Sequence, residues 1–115
     1  TVAVDCGVVI NLSGAKNQVE GGVIDGIGHA MFGDMSFENG RPTAKNFDVY
    51  RLIRMQETPK VEVHFLQNDL SPTGLGEPGL PPAGGAVANA INAALGKRVY
   101  SQPFVKALKK NTVVG

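Results

Sequence analysis

The chain has 115 residues, of which 43% are hydrophobic and 18% charged, and its formal net charge is +1. This composition is typical of a globular protein rather than a disordered one. The near-zero charge, without a basic block, argues against general nucleic-acid binding. No apolar run approaches the roughly 18 residues of a membrane-spanning helix. The lone cysteine, Cys6, excludes an internal disulfide.

Residues 1–115 are expected to form a single domain. The chain opens without Met, directly on a strand-like segment, which suggests a piece of a longer polypeptide. No signal-peptide pattern is present, and the sequence leaves both cytoplasm and periplasm open for what is expected to be a soluble protein.

The first third of the chain predicts a strand followed by a glycine-rich helix. Residues 1–4 are mostly β-branched and apolar, and residues 11–14 have the composition of a turn. Residues 17–32 carry an apolar side chain at every fourth position, and Asn17 with Glu20 forms a capping-box pattern. The helix also contains four glycines, each costing about 1 kcal/mol relative to alanine. They imply close approach of another backbone or a ligand, or a helix that is stable only when docked against a larger body.

Gln18 falls in the first turn of this predicted helix, where free backbone N–H groups and the helix dipole favour an anion. It is therefore a candidate ligand-binding residue, although an ordinary exposed glutamine is the simpler interpretation of the same position. His29 and His64 each lack a second metal-ligating side chain at suitable spacing, so no metal site is predicted from this chain.

The remainder of the chain predicts a hairpin, a strand and two helices. Residues 34–43 contain an Asn-Gly pair, which is typical of a type I′ turn. Residues 61–65 alternate as a strand does, residues 82–95 form an alanine-rich helix, and residues 103–110 form a last short helix. These elements predict an α+β fold. A mixed sheet of about four or five short strands would pack against the Gly-rich and the Ala-rich helix.

A glycine- and proline-rich loop at residues 74–82 carries the most suggestive acid of the chain. It reads Gly-Leu-Gly-Glu-Pro-Gly-Leu-Pro-Pro, so that Glu77 is its only charged residue. Its prolines fix the backbone, and its glycines allow close approach to another surface. A rigid apolar loop without a neutralising cation suits a general base, whereas the alternative is a turn whose acid faces water.

The glycines at 74, 76 and 79 also fit the letters of a dinucleotide-binding fingerprint. The context of that fingerprint is missing, because Ser71-Pro72-Thr73 separates the first glycine from the preceding strand. Pro78 lies inside the motif, and no βαβ unit surrounds it. A nucleotide-binding module is therefore the weakest of the candidate functions.

The same loop resembles the active-site loop of the xanthine dehydrogenase/aldehyde oxidase family of molybdenum hydroxylases. Gln18-Val19-Glu20-Gly21-Gly22, followed by Gly26-Ile27-Gly28, resembles a second cofactor-proximal element of that family, and Asp5-Cys6-Gly7 with Asn11 resembles the strand before it. The resemblance runs from about residue 4 to residue 104. It is most similar to a C-terminal segment of the molybdopterin-binding large subunits of isoquinoline 1-oxidoreductases and aldehyde dehydrogenases.

The resemblance implies that this chain contributes one part of the active site of a larger enzyme subunit. The glutamate matching Glu77 would be the general base in hydroxylation of N-heteroaromatic or aldehyde substrates, with water as the oxygen source. Gln18, Leu75 and Gly76 would lie against a molybdenum–pterin cofactor, in bacteria often its cytosine dinucleotide form.

The resemblance also implies partners: the rest of the large subunit, an iron–sulfur small subunit or domain with [2Fe–2S] centres, and a small-molecule substrate. The piece alone should neither hold the cofactor nor turn over substrate. The alternative hypothesis, from a different functional class, is a non-catalytic scaffold or subunit-interaction module with the same fold.

Overall fold

A computed structural model describes residues 1–110, so that residues 111–115 of the expected domain lie outside the described part. The elements in chain order are β1 (Val2–Val4), α1 (Leu12–Phe32), β2 (Phe37–Glu38), β3 (Arg41–Pro42), a 3₁₀ turn (Met55–Glu57), β4 (Val63–Phe65), α2 (Pro81–Leu95) and α3 (Phe104–Lys110). The mixture of helices and short strands confirms the α+β class in its coarse form.

The glycine-rich helix begins five residues earlier than the sequence predicts. The N-cap is Asn11, whose side-chain oxygen accepts a hydrogen bond from the Gly14 N–H at 3.0 Å. The predicted cap, Asn17, is therefore wrong, and the expected turn at residues 11–14 is the first turn of α1. Glu20 does not complete a capping box, since it pairs instead with Lys16 one turn before it, at 3.6 Å.

The single mixed sheet expected from the sequence is wrong within residues 1–110, where the strands form two separate two-stranded sheets. β1 and β4 pair in parallel, with Val2 opposite Val63 and Val4 opposite Phe65. β2 and β3 form an antiparallel hairpin whose turn has positive φ at both Asn39 and Gly40, as a type I′ turn requires. All four hairpin residues are exposed, so no buried face directs this hairpin onto the other sheet.

α1 and α2 cross at very close range because α1 presents a glycine there. An ideal Cβ built at Gly26 would lie 2.5 Å from the Leu80 carbonyl oxygen and 2.7 Å from the Ala83 Cβ. The close backbone approach inferred from the glycines is thus found at this crossing. The buried hydrophobic residues of the described chain are few and mostly small: Cys6, Ala15, Val19, Ala30, Ala83 and Phe104.

The chain leaves much apolar surface uncovered. Its radius of gyration is 17.0 Å, whereas a compact domain of this length has about 13 Å. Large side chains stay exposed, among them Phe47 (72%) and Met55 (94%). α2 ends where expected, with Gly96 in the left-handed region, but only Ala83 of this helix is fully buried. The fold therefore leaves apolar surfaces exposed, against which further polypeptide can pack.

Candidate functional site

The loop that carries Glu77 is fixed at its beginning by backbone contacts to the segment after β1. The Thr73 N–H donates to the Cys6 carbonyl at 2.9 Å, and the Val8 N–H donates to the Leu70 carbonyl at 3.0 Å. Gly7 makes this close contact possible: its φ is +73°, and a Cβ there would lie 2.4 Å from the Ser71 carbonyl oxygen. Only glycine fits this position without displacing the backbone.

A side-chain contact strengthens the same attachment. The Asn68 Nδ2 donates to the Asp5 Oδ1 at 2.8 Å, and the Asn68 Oδ1 accepts from the Leu70 N–H at 3.1 Å. Sequence reasoning missed Asn68, and it named Gly7 only as part of the resemblance of residues 5–7 to a family strand. The signal for this pairing is weak in the sequence, because the two partners are separated by more than 60 residues.

The end of the loop is fixed on α1. A Cβ at Gly79 would lie 3.0 Å from the Val19 carbonyl oxygen, and a Cβ at Gly22 would lie 3.4 Å from the Leu80 nitrogen. The Leu80 N–H also donates to the Glu77 carbonyl at 3.1 Å, which closes a turn directly after the acid. The loop is thus attached on both sides of Glu77.

Between these two attachments the loop has open space beside its glycines, whereas the Leu75 side chain is half-buried. No atom lies within 4 Å of a Cβ built at Gly74 or at Gly76. The backbone N–H groups of Leu75 and Gly76 donate to no atom of residues 1–110. Glu77 is exposed and has no ion-pair or hydrogen-bond partner for its side chain in that range. The apolar enclosure expected for this carboxylate is therefore not provided by these residues.

Gln18 lies on the turn of α1 that meets the loop, one residue before Val19. It is exposed, and its side chain makes no hydrogen bond within the described part of the chain. The argument that placed it at the helix N-terminus is wrong, because α1 starts at Leu12 and Gln18 belongs to the second turn. Its proximity to the Glu77 loop through the contact of Val19 with Gly79 is what makes it a site candidate.

These features fit a polar cofactor that approaches the loop from outside the chain. The backbone at Leu75 and Gly76 offers N–H donors that are unpaired within residues 1–110, Gly76 has no side chain to obstruct an approaching group, and Gln18 offers a free side-chain amide. In residues 1–110 no three His, Cys, Asp or Glu side chains converge as metal ligands. The described helices include none long and apolar enough to cross a membrane.

Comparison with known proteins identifies the family of this chain. Residues 1–59 match the molybdopterin cofactor-binding domain family. The chain is 38% identical over 103 residues to a membrane-bound aldehyde dehydrogenase [pyrroloquinoline-quinone] of Gluconacetobacter polyoxogenes, covering 90% of this chain and 13% of that protein. It is 33% identical over 106 residues to isoquinoline 1-oxidoreductase subunit beta of Brevundimonas diminuta, covering 92% of this chain and 14% of the relative.

Among solved structures, quinoline 2-oxidoreductase of Pseudomonas putida 86 superposes with a TM-score of 0.80 at 20% identity, over 94% of this chain and 15% of that one. That likeness shows the fold. The family match spans more than half of the chain, which therefore belongs to the molybdopterin cofactor-binding domain family. The chain spans only 13% to 14% of the length of these two relatives.

Proposed function

We propose that this chain is the part of a molybdenum hydroxylase subunit that brings a general base, Glu77, to a molybdenum–pterin cofactor. The observation that carries the proposal is the loop at residues 74–78, which is attached at both ends and free in the middle. A loop of this kind can hold a carboxylate in one position while leaving it open to a reactant.

The cofactor contacts that we propose are Gln18, Leu75 and Gly76. Their polar groups are unpaired within residues 1–110, and Gly76 leaves room for a bulky group beside the backbone. When bound, the molybdenum–pterin group supplies the oxidation–reduction chemistry. The cytosine dinucleotide form and [2Fe–2S] centres on a partner subunit or domain belong to the same proposal, as do the rest of the large subunit and the iron–sulfur small subunit as partners.

The role of Glu77 is proton transfer. In hydroxylation with water as the oxygen source, a proton must leave the oxygen before that oxygen can add to an electron-poor carbon, and a carboxylate at hydrogen-bond distance can accept it. Because Glu77 is exposed in residues 1–110, we propose that polypeptide beyond these residues encloses the rest of the site. The substrate classes that we propose are aldehydes and N-heteroaromatics, which correspond to the names of the two relatives.

The test compares two glutamate-to-glutamine variants in the complete enzyme. Glu77→Gln keeps the size of the side chain and removes the base, so the molybdenum content should stay at the wild-type level. The kcat for a panel of aldehydes and N-heteroaromatics should fall by about 10²–10⁴-fold. Glu38→Gln is the matched control, because Glu38 is also exposed and lies on the hairpin, away from the loop.

Two outcomes would contradict the assignment. Activity of Glu77→Gln equal to that of Glu38→Gln would remove Glu77 from the reaction and favour the non-catalytic scaffold, which is the second candidate. Loss of molybdenum together with activity would mean that the loop retains the cofactor, and the base would have to be another residue.

A further inference from the structure

One edge of the small parallel sheet is open, and the hydrogen bonds of β1 identify it. The Val2 N–H donates to the Glu62 carbonyl at 2.7 Å, and the Val4 carbonyl accepts from the Leu66 N–H at 2.8 Å. In a parallel ladder alternate residues of a strand bond to the same neighbour. Ala3, between these two, therefore directs its own N–H and C=O away from β4, and β1 has no other strand neighbour in residues 1–110.

This open edge borders an apolar groove of about 670 Å³. β1 contributes residues along its whole length to the groove, whereas β4 contributes none and only the segment before it, residues 59–61, reaches the groove. The groove therefore lies beside β1, next to the edge that Ala3 faces. Its far wall is made by helix residues of α1 and α2, among them Val19, Val23, Val87 and Ala90. Among the described residues that line it, Asp5 and Lys60 are the charged ones.

A parallel strand edge that stays unpaired is unusual in a complete folded protein. Parallel strands occur almost only in sheets that are covered on both faces, and two strands alone are marginal in water. Proteins that leave an edge exposed protect it with lysine, proline or a bulge, and Val2–Val4 carries none of these. The chain also spans only 13% of the aldehyde dehydrogenase and 15% of the quinoline 2-oxidoreductase chain that it matches, so most of the surrounding polypeptide of such a fold is elsewhere.

We infer that an extended apolar strand from the remainder of the molybdopterin-binding subunit pairs with the free edge of β1. Its backbone bonds to the N–H and C=O of Ala3, and the side chains on its inward face fill the groove against α1 and α2. Those side chains should be apolar, because alanine and valine form much of the groove wall, and the volume of the groove leaves room for large ones. The inference rests on the proposed function only in requiring the larger subunit, and it does not require Glu77 to be catalytic.

Amide hydrogen exchange in the complete subunit tests the pairing with internal controls. The Val2 and Leu66 amides donate within this chain and should be protected in any case. If the strand is present, the Ala3 amide is protected as well, by at least about 100-fold relative to a free amide. Exchange of Ala3 at the free rate, with Val2 and Leu66 protected, would overturn the inference.

A proline pair provides the second measurement. Ala3→Pro removes only the outward N–H, whereas Val2→Pro removes a donor that bonds to Glu62 inside the chain. We expect both variants to lower the unfolding temperature of the subunit, and a near-wild-type value for Ala3→Pro alone would contradict the pairing. Protection of Ala3 that depends on protein concentration would identify a second copy as the occupant and refute the strand from the same subunit. The activity of Glu77→Gln is measured separately, so failure of either proposal leaves the other intact.

Discussion

A methyl group added at Gly26 would strike the backbone that leads from the Glu77 loop into α2. The added Cβ would lie 2.5 Å from the Leu80 carbonyl oxygen and 2.7 Å from the Ala83 Cβ, both shorter than van der Waals contact. Neither neighbour can rotate away, since one is a main-chain atom and the other is the first atom of its side chain. Gly26→Ala must therefore separate the two helices.

The magnitude follows from two opposing terms. Replacing glycine by alanine within a helix stabilises it by about 1 kcal/mol. Inserting a methyl group into a well-packed contact costs about 1–3 kcal/mol, and the short distances at Gly26 favour the upper end. We expect Gly26→Ala to lower the free energy of unfolding by about 2 kcal/mol net.

Gly21 on the same helix provides the matched control. No atom lies within 4 Å of a Cβ at Gly21, so Gly21→Ala gains the helix propensity without a clash. It should raise the free energy of unfolding by about 1 kcal/mol, which leaves a difference of about 3 kcal/mol between the two variants. Denaturant titrations with equal m-values measure this difference. If Gly26→Ala is as stable as Gly21→Ala, the close crossing of α1 and α2 is incorrect.

Two further predictions concern a helix cap and an acid. Asn11→Ala should cost about 1 kcal/mol of unfolding free energy because it removes the N-cap of α1, whereas Asn17→Ala should stay within about 0.5 kcal/mol; equal losses would contradict the early helix start. The pKa of Glu57 is lowered because the Arg54 N–H donates to its carboxylate and the Arg51 guanidinium lies beside it. A lowered folded-state pKa favours the charged form on folding, so this stabilisation is present above the ordinary value of 4.5 and is lost as the pH falls through the folded value. The difference in unfolding midpoint between wild type and Glu57→Gln should therefore be largest above the ordinary value of 4.5 and shrink as the pH falls below it, and a difference that is constant with pH would contradict the shift.

The elements that the sequence predicts correctly are those whose signals are local. The Asn39-Gly40 pair is sufficient to specify the hairpin turn, because few other residues tolerate two successive positive φ angles. α2 has proline at its first turn and Gly96 just beyond its end, and both boundaries follow from the backbone preferences of those residues.

The start of α1 and the pairing of the strands depend on information that local patterns lack. Asn11 and Asn17 are equally good caps by composition, and only the hydrogen bond from Gly14 distinguishes them. β1 pairs with a strand about 60 residues away, and a short apolar segment does not indicate its neighbour or the number of strands in its sheet. The position of Gln18 relative to the loop likewise depends on Val19 meeting Gly79, which is a tertiary contact.

The glycines of α1 affect both the stability of this helix and the position of the Glu77 loop. Each glycine lowers helix propensity, yet Gly22 and Gly26 are where the backbone at Leu80 comes close enough to fix the end of the Glu77 loop. Larger residues there would strengthen the isolated helix and push the loop outward. The helix therefore depends on packing for its stability, and the same packing that stabilises it determines where Glu77 stands. A substitution that separates α1 from α2 should consequently displace Glu77, and under the proposed role of that residue it should lower kcat as well as stability.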